Sequence, residues 1–213
     1  DLQGEVLRLV TQRAAGLVAY QNDAVCADYV DFVAQIATAE RAVTNETRLS
    51  EAVARNLFKL TAYKDEYEVA RLLTDPAFLD SAQEAFPEGT VSYMLHPPTL
   101  RALGRKKKIA FGPQSHVALR TLARLKFLRG TPADVFGYAH LRRVERDLRD
   151  HYRALLADLA DGLTLDSYER AVQLAELPDM IRGYETVKLR NIARYAEALR
   201  ELGVAPPATT QAS

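Results

Sequence analysis

Apolar residues recur every three or four positions along almost the whole chain, the period of an α-helix rather than the alternation of a strand. Val6, Val10, Leu17 and Tyr20 predict a first helix, and Tyr29, Phe32, Ile36 and Val43 a second one after a break near Asn22. Ser50 is suited to cap a third helix, with Glu51 in its first turn where the helix dipole favours an acid. Its stripe of Val53, Leu57, Leu60, Tyr63, Tyr67 and Ala70 runs on to Leu73, which predicts one long helix. Asp75 followed by Pro76 is a cap with proline at the first helical position, so a short helix is expected over 76–85, stopped by Pro87 and Gly89.

Residues 91–95 form the one stretch that reads as a strand, and Pro97 and Pro98 end it. Gly112 and Pro113 open a further helix through Val117, Leu119, Leu122, Leu125 and Leu128, with Gly130 placed to take a left-handed cap. The segment RGTPADVFGY is then a turn. From Tyr138 a long helix carries Leu141, Val144, Leu148, Tyr152, Leu155 and Leu159 as a packing seam. Glu145 and Arg149 are expected on its outer face as an ion pair worth about 0.3–0.5 kcal/mol. Gly162 closes this helix, and two more are expected over 165–177 and 184–202, ended by Gly203.

The pattern therefore predicts a mostly α fold: a single multi-helix domain over 1–203, resembling an antiparallel bundle, with at most one short strand or irregular insertion around 87–112. Within it, an N-terminal helical layer (1–86) and a C-terminal bundle (113–203) would flank that insertion, and 204–213 would be a flexible tail.

Composition narrows the classes open to such a fold. With 213 residues the chain can bury a sizeable core. No apolar run approaches the ~20 residues of a membrane-spanning helix, and no secretory signal is evident, so a cytoplasmic setting without membrane contact is expected. The single cysteine, Cys26, excludes an internal disulfide and a thiolate cluster site. The chain opens on Asp1 rather than Met, as a segment or processed chain would.

Charge is unevenly spread. Between Glu88 and Asp134 there is no carboxylate, yet the stretch holds Arg101, Arg105, Lys106, Lys107, Lys108, Arg120, Arg124, Lys126 and Arg129, nine of the 28 Lys and Arg in a formally neutral chain. Such a block is either a solvated face or a contact for an anion or an acidic partner. Arg105, Lys106, Lys107, Lys108, Arg120, Arg124 and Arg129 are the candidate contacts. Nucleic acid is the weakest of the anions, because the pI is near 7.1 and no stacking aromatics are interleaved with the cations.

Other chemistry finds little footing. The ten glycines form neither a dinucleotide fingerprint nor a P-loop. Asp147 and His151 share a helical face, but a metal centre in a bundle draws ligands from several helices. Ser115 and His116 are adjacent on a helix and so point to different faces. Lys64 and Arg71 lie on the apolar line of Leu57, Leu60 and Tyr67, which means either stems packed along the core edge or an interface with another domain or subunit.

The motifs AVARNLFKLTAYKDEYEVARLL, KKIAFGP, LARLKFLRGTPADVFGY, RRVERDLRDHY and LPDMIRGYETVKLRNIA occur in this order between residues 52 and 193, within a resemblance that extends over nearly all of the chain. In them it resembles the C-terminal domain of the fused, single-chain indolepyruvate ferredoxin oxidoreductases. The resemblance implies one segment of a longer enzyme that oxidatively decarboxylates aryl 2-oxoacids and passes electrons to ferredoxin. Thiamine diphosphate and Fe–S clusters would belong to that enzyme's other segments, with no cofactor and no catalytic residue in this one. The implied role is accessory and helical, with the rest of the enzyme chain as partner and a second subunit, ferredoxin or CoA as further candidates. The competing expectation is an autonomous binding module that takes an anionic ligand or an acidic protein through the 101–129 block.

Overall fold

In a computed structural model of the chain, residues 2–89, 92–95, 109–112 and 115–210 are described, and the fold is mostly α. The chain divides into two compact units, one made of 1–63 and 134–213 and the other of 64–133.

The first unit holds α1 (Gly4–Tyr20), α2 (Asp23–Val43), α3 (Arg48–Thr61), α7 (His140–Asp161), α8 (Leu165–Glu176) and α9 (Glu185–Glu201). Helix α3 is its centre and packs against α1, α2, α7 and α8. Ala52 and Ala54 let neighbouring backbones approach, while Leu49, Val53 and Leu57 fill the space between, and all five are buried. Several polar side chains within this core are paired to backbone carbonyls. The Tyr29 hydroxyl donates to Ala54 O, and Tyr152 Oη and Asn56 Nδ2 both donate to Ala175 O, over 2.8–2.9 Å. The N-terminal and C-terminal helices thus share one core, rather than forming separate layers over 1–86 and 113–203.

Local chemistry sets most helix ends. Asn22 caps α2 by accepting from Val25 N, and Thr164 and Ser167 form a reciprocal capping box on α8. The start of α3 differs from the expectation. Its cap position is Thr47, and Ser50 lies one turn inside and buried. The free amides of Leu49 and Ser50 donate instead to the carboxylate of Glu40, on α2, at 2.8 and 2.9 Å. Ser50 Oγ and Tyr168 Oη also donate to it, so a carboxylate that is 1 % exposed receives four hydrogen bonds. Burial, with the Glu40 bond next, holds the Tyr168 phenol well above its usual pKa and therefore protonated.

The expected long third helix is broken. Helix α3 ends at Thr61 and α4 begins at Glu66, because Asp65 turns its side chain onto the Glu68 amide and starts a new helix. The expected tail differs over 204–210, while 211–213 lie outside the described residues: Pro206 and Pro207 are buried, and Ala208–Thr210 make a short 3-10 turn. The Thr209 amide and hydroxyl both donate to Asp147, and His151 Nε2 lies 2.8 Å from Ala205 O. In the RGTPADVFGY turn Asp134 accepts from the Gly137 amide, and Arg146 donates to Gly137 O.

The second unit holds α4 (Glu66–Leu73), α5 (Pro76–Ala85), β1 (Tyr93–Leu95), β2 (Ile109–Phe111) and α6 (Ser115–Arg124), which runs into a 3-10 turn at Leu125–Leu128. Ala70 and Leu119, with Leu73, Leu122 and Ala123, join α4 to α6. Asp75 caps α5 ahead of Pro76, as the sequence predicts. The 91–95 strand is present as β1, but it has an antiparallel partner: β2, inside KKIAFGP, places Phe111 opposite Tyr93 and Ile109 opposite Leu95. A three-residue strand has too few alternations to declare itself in sequence. Among the described residues no helix is long and apolar enough to cross a membrane.

Candidate functional site

Two charged constellations stand out, one in each unit. In the first unit, α3, α7, the 3-10 turn Leu177–Met180 and α9 bring Lys59, Tyr63, Glu145, Leu148, Ile181 and Lys188 around a cleft of about 20 Å³. That is room for one ordered water, not for a metabolite. Glu145 lies at its base, 4 % exposed, and accepts from Arg142 of its own helix and from Lys188 of α9. Arg142 also lies over the Tyr63 ring, 5.6 Å from its centroid, and Tyr63 meets Tyr20 edge-on.

Lys59 donates to Pro178 O and Asp179 O, both at 2.9 Å, so its ammonium closes the end of the 3-10 turn. Burial lowers its pKa, opposed by Asp179 and assisted by the charges of Arg182 and Lys188. Asp179 is itself held below the usual carboxylate range, first by its bond to Arg182. The arrangement clasps three helices by charge. Glu145 is therefore not half of the expected outer-face pair with Arg149, which bonds to Asp150 instead. The reason is position: Glu145 falls four residues after Leu141 and three before Leu148, on the apolar seam itself.

In the second unit Asp65 caps α4 and also receives Arg129, whose Nη2 is 2.9 Å from Oδ1 and whose guanidinium lies over the Tyr67 ring. Arg71 pairs with Glu68 at 2.7 Å and lies 3.9 Å from Asp75. Lys126 has its pKa lowered, mainly by burial and then by the nearby charges of Arg71 and Arg129.

The candidate residues divide accordingly. Arg105, Lys106, Lys107 and Lys108 lie outside the described residues, as does Arg101. Arg120 and Arg124 are exposed on one face of α6. Arg129 is corrected: with 8 % of its side chain exposed and a carboxylate against it, it is a structural cation. Lys64 and Arg71 do not share a helical line, because the break at 62–65 intervenes; Lys64 is exposed in that break and Arg71 faces Glu68. Neither Glu145–Lys188 nor Asp65–Arg129 was foreseeable as a pair, although a carboxylate on an apolar line marked Glu145, and also Glu40, four residues after Ile36. Among the described residues no group of three or more His, Cys, Asp or Glu side chains is placed to hold a metal ion.

The fold and both constellations describe an α-helical domain whose charged clusters are spent on its own architecture. Residues 6–201 match the model of a family of unknown function, DUF6537, and the chain belongs to that family. The matched range takes in both units, so the 64–133 unit is part of the family's domain. No curated protein and no solved structure matches the chain.

Proposed function

We propose that this chain is a non-catalytic docking domain of an indolepyruvate-type ferredoxin oxidoreductase, acting in the cytoplasm as part of an enzyme that oxidatively decarboxylates aryl 2-oxoacids. The ordered motifs quoted above support the choice of enzyme. Thiamine diphosphate and the Fe–S clusters then belong to the rest of that enzyme, since Cys26 alone cannot ligate a cluster.

One observation carries the docking role: the two units are oppositely charged. The 64–133 unit holds 11 of the 28 basic and 7 of the 28 acidic residues, a net of +4, which leaves −4 on the other unit of this formally neutral chain. Arg120 and Arg124 put part of that charge on the solvent side of α6. Opposite potentials steer association and set orientation more than they add affinity, which suits a domain that positions a partner.

The test mixes the 213-residue chain with the catalytic remainder of the enzyme produced without it. Co-elution is expected at low salt, weakened as ionic strength rises and by joint Arg120→Glu and Arg124→Glu substitution. Absence of association would overturn the docking role. The chain alone, given indolepyruvate, thiamine diphosphate, CoA and an electron acceptor, should reduce nothing; measurable turnover would overturn the non-catalytic reading. Salt-sensitive binding of CoA by the isolated chain would favour the autonomous anion-binding module instead.

A further inference from the structure

We infer that the outer face of α6 and the turn after it form a docking stripe for an acidic amphipathic helix of a partner protein, with two apolar anchors and two carboxylates between them. This rests on the docking role proposed above and specifies the partner's chemistry.

The stripe follows from helix geometry. Leu119, Leu122 and Ala123 take the inner face of α6 against α4, so Val117, Arg120, Thr121 and Arg124 fall on the opposite side at steps of three and four. Residue 127 stands three positions after Arg124 and seven after Arg120, so it follows the same line. The chain tightens there into the 3-10 turn Leu125–Leu128, entered from Arg124 in helical conformation. In a 3-10 turn residues i and i+3 eclipse, which brings Phe127 over Arg124 and extends the outer line. Val117 is 72 % and Phe127 64 % exposed, so both apolar side chains are open to a partner. The face reads apolar, cation, cation, apolar.

Its length selects the occupant. Seven α-helical steps and three 3-10 steps separate Val117 from Phe127 by roughly 16 Å. On a partner α-helix that distance is about 11 residues, close to three full turns, so anchors at i and i+11 share one face. Positions i+4 and i+7 lie between them on the same face, opposite Arg120 and Arg124, and carboxylates there complete the match. No residue in 89–133 is acidic, so nothing in that segment repels them. A phosphate-bearing ligand would use the arginines but leave Val117 and Phe127 in water, which is why a helix is favoured over a nucleotide or RNA.

The test is fluorescence anisotropy of the full chain with a labelled synthetic helix carrying Leu at i and i+11 and Glu at i+4 and i+7. Binding should weaken about tenfold when either the leucines or the glutamates become Gln, because apolar anchors and charge pairs act together. Val117→Ser with Phe127→Ser, and Arg120→Gln with Arg124→Gln, should each cause a similar loss, with unchanged circular dichroism to show that these exposed positions leave the fold intact. No binding of the synthetic helix overturns the inference, and so does binding that survives the Val117 and Phe127 substitutions. If those substitutions leave co-elution with the catalytic remainder intact while the arginine substitutions abolish it, the inference fails and the docking role stands. If the synthetic helix binds as described but the remainder does not, the docking role within that enzyme fails and the stripe stands.

Discussion

Arg129 and Asp65, 64 residues apart in sequence, form an ion pair in which Nη2 is 2.9 Å from Oδ1 and the side chains are 8 % and 4 % exposed. Asp65 simultaneously caps α4, and Arg129 lies 5.5 Å from the centroid of the Tyr67 ring. One carboxylate therefore starts a helix and anchors the segment that follows α6.

Removing either partner strands a buried charge. Arg129→Ala should cost about 3–5 kcal/mol, measured as a lower denaturant midpoint, and Asp65→Asn a comparable amount. Arg129→Ala combined with Asp65→Ala should recover part of the loss, since no lone charge then remains. Single variants within about 0.5 kcal/mol of the parent would mean that the pair is solvated.

Glu40 makes a sharper case, because its four hydrogen bonds all come from donors and no cation is among them. Glu40→Gln keeps the shape but turns an amide N–H₂ toward donors. A loss of about 2 kcal/mol or more is expected. Hydrogen exchange locates it: the Leu49 and Ser50 amides should exchange faster in the variant, and unchanged rates would contradict the capping role.

Lys59 gives a pH dependence with a definite sign. Its pKa in the folded chain lies below the ordinary 10.5, chiefly from burial. Below the folded pKa both states hold the proton and the burial penalty is fully present; above 10.5 neither does and the penalty is gone. Stability from this group therefore rises with pH through the window that ends at 10.5. A titration of labelled lysine amines by NMR should show early midpoints for Lys59 and Lys126, of which the first disappears in Lys59→Gln; if that substitution removes no early midpoint, the clasp is open to solvent.

The terminal segment offers a test of the corrected tail. Thr209→Val removes the hydroxyl donor to Asp147 while keeping the side-chain shape, at a cost of about 1–2 kcal/mol in thermal or chemical unfolding. Proteolysis should then cleave within 204–210 more readily than in the parent, and equal susceptibility would show that the Asp147 contact does not hold the segment down.

Much of the fold was legible where local chemistry decides it. The break at Asn22, the Asp75 and Pro76 start of α5, the Gly162 end of α7 and the left-handed Gly130 (φ 77°) all follow from side-chain caps and backbone freedom within a few residues. Legibility failed at Ser50 and at 62–65. At Ser50 the helix end depends on Glu40 of the preceding helix, beyond the reach of a local pattern, whereas at 62–65 the Asp65 cap on the Glu68 amide is local but is masked by an apolar stripe that runs across it. The basic block was visible as composition, but composition could not separate Arg129, committed inside the fold, from Arg120 and Arg124 on the surface.

The sequence by itself determined the helical class, the order of the helices and the charge imbalance, because periodicity, caps and residue counts are properties of neighbours along the chain. Tertiary structure alone decided that α3 lies at the centre of one unit, that 64–133 forms another, and which charges are structural. The physical reason is that burial makes pairing obligatory, and only packing decides which charges are buried together. Residues 43 and 64 positions apart, as in Glu145–Lys188 and Asp65–Arg129, meet only once the helices have packed.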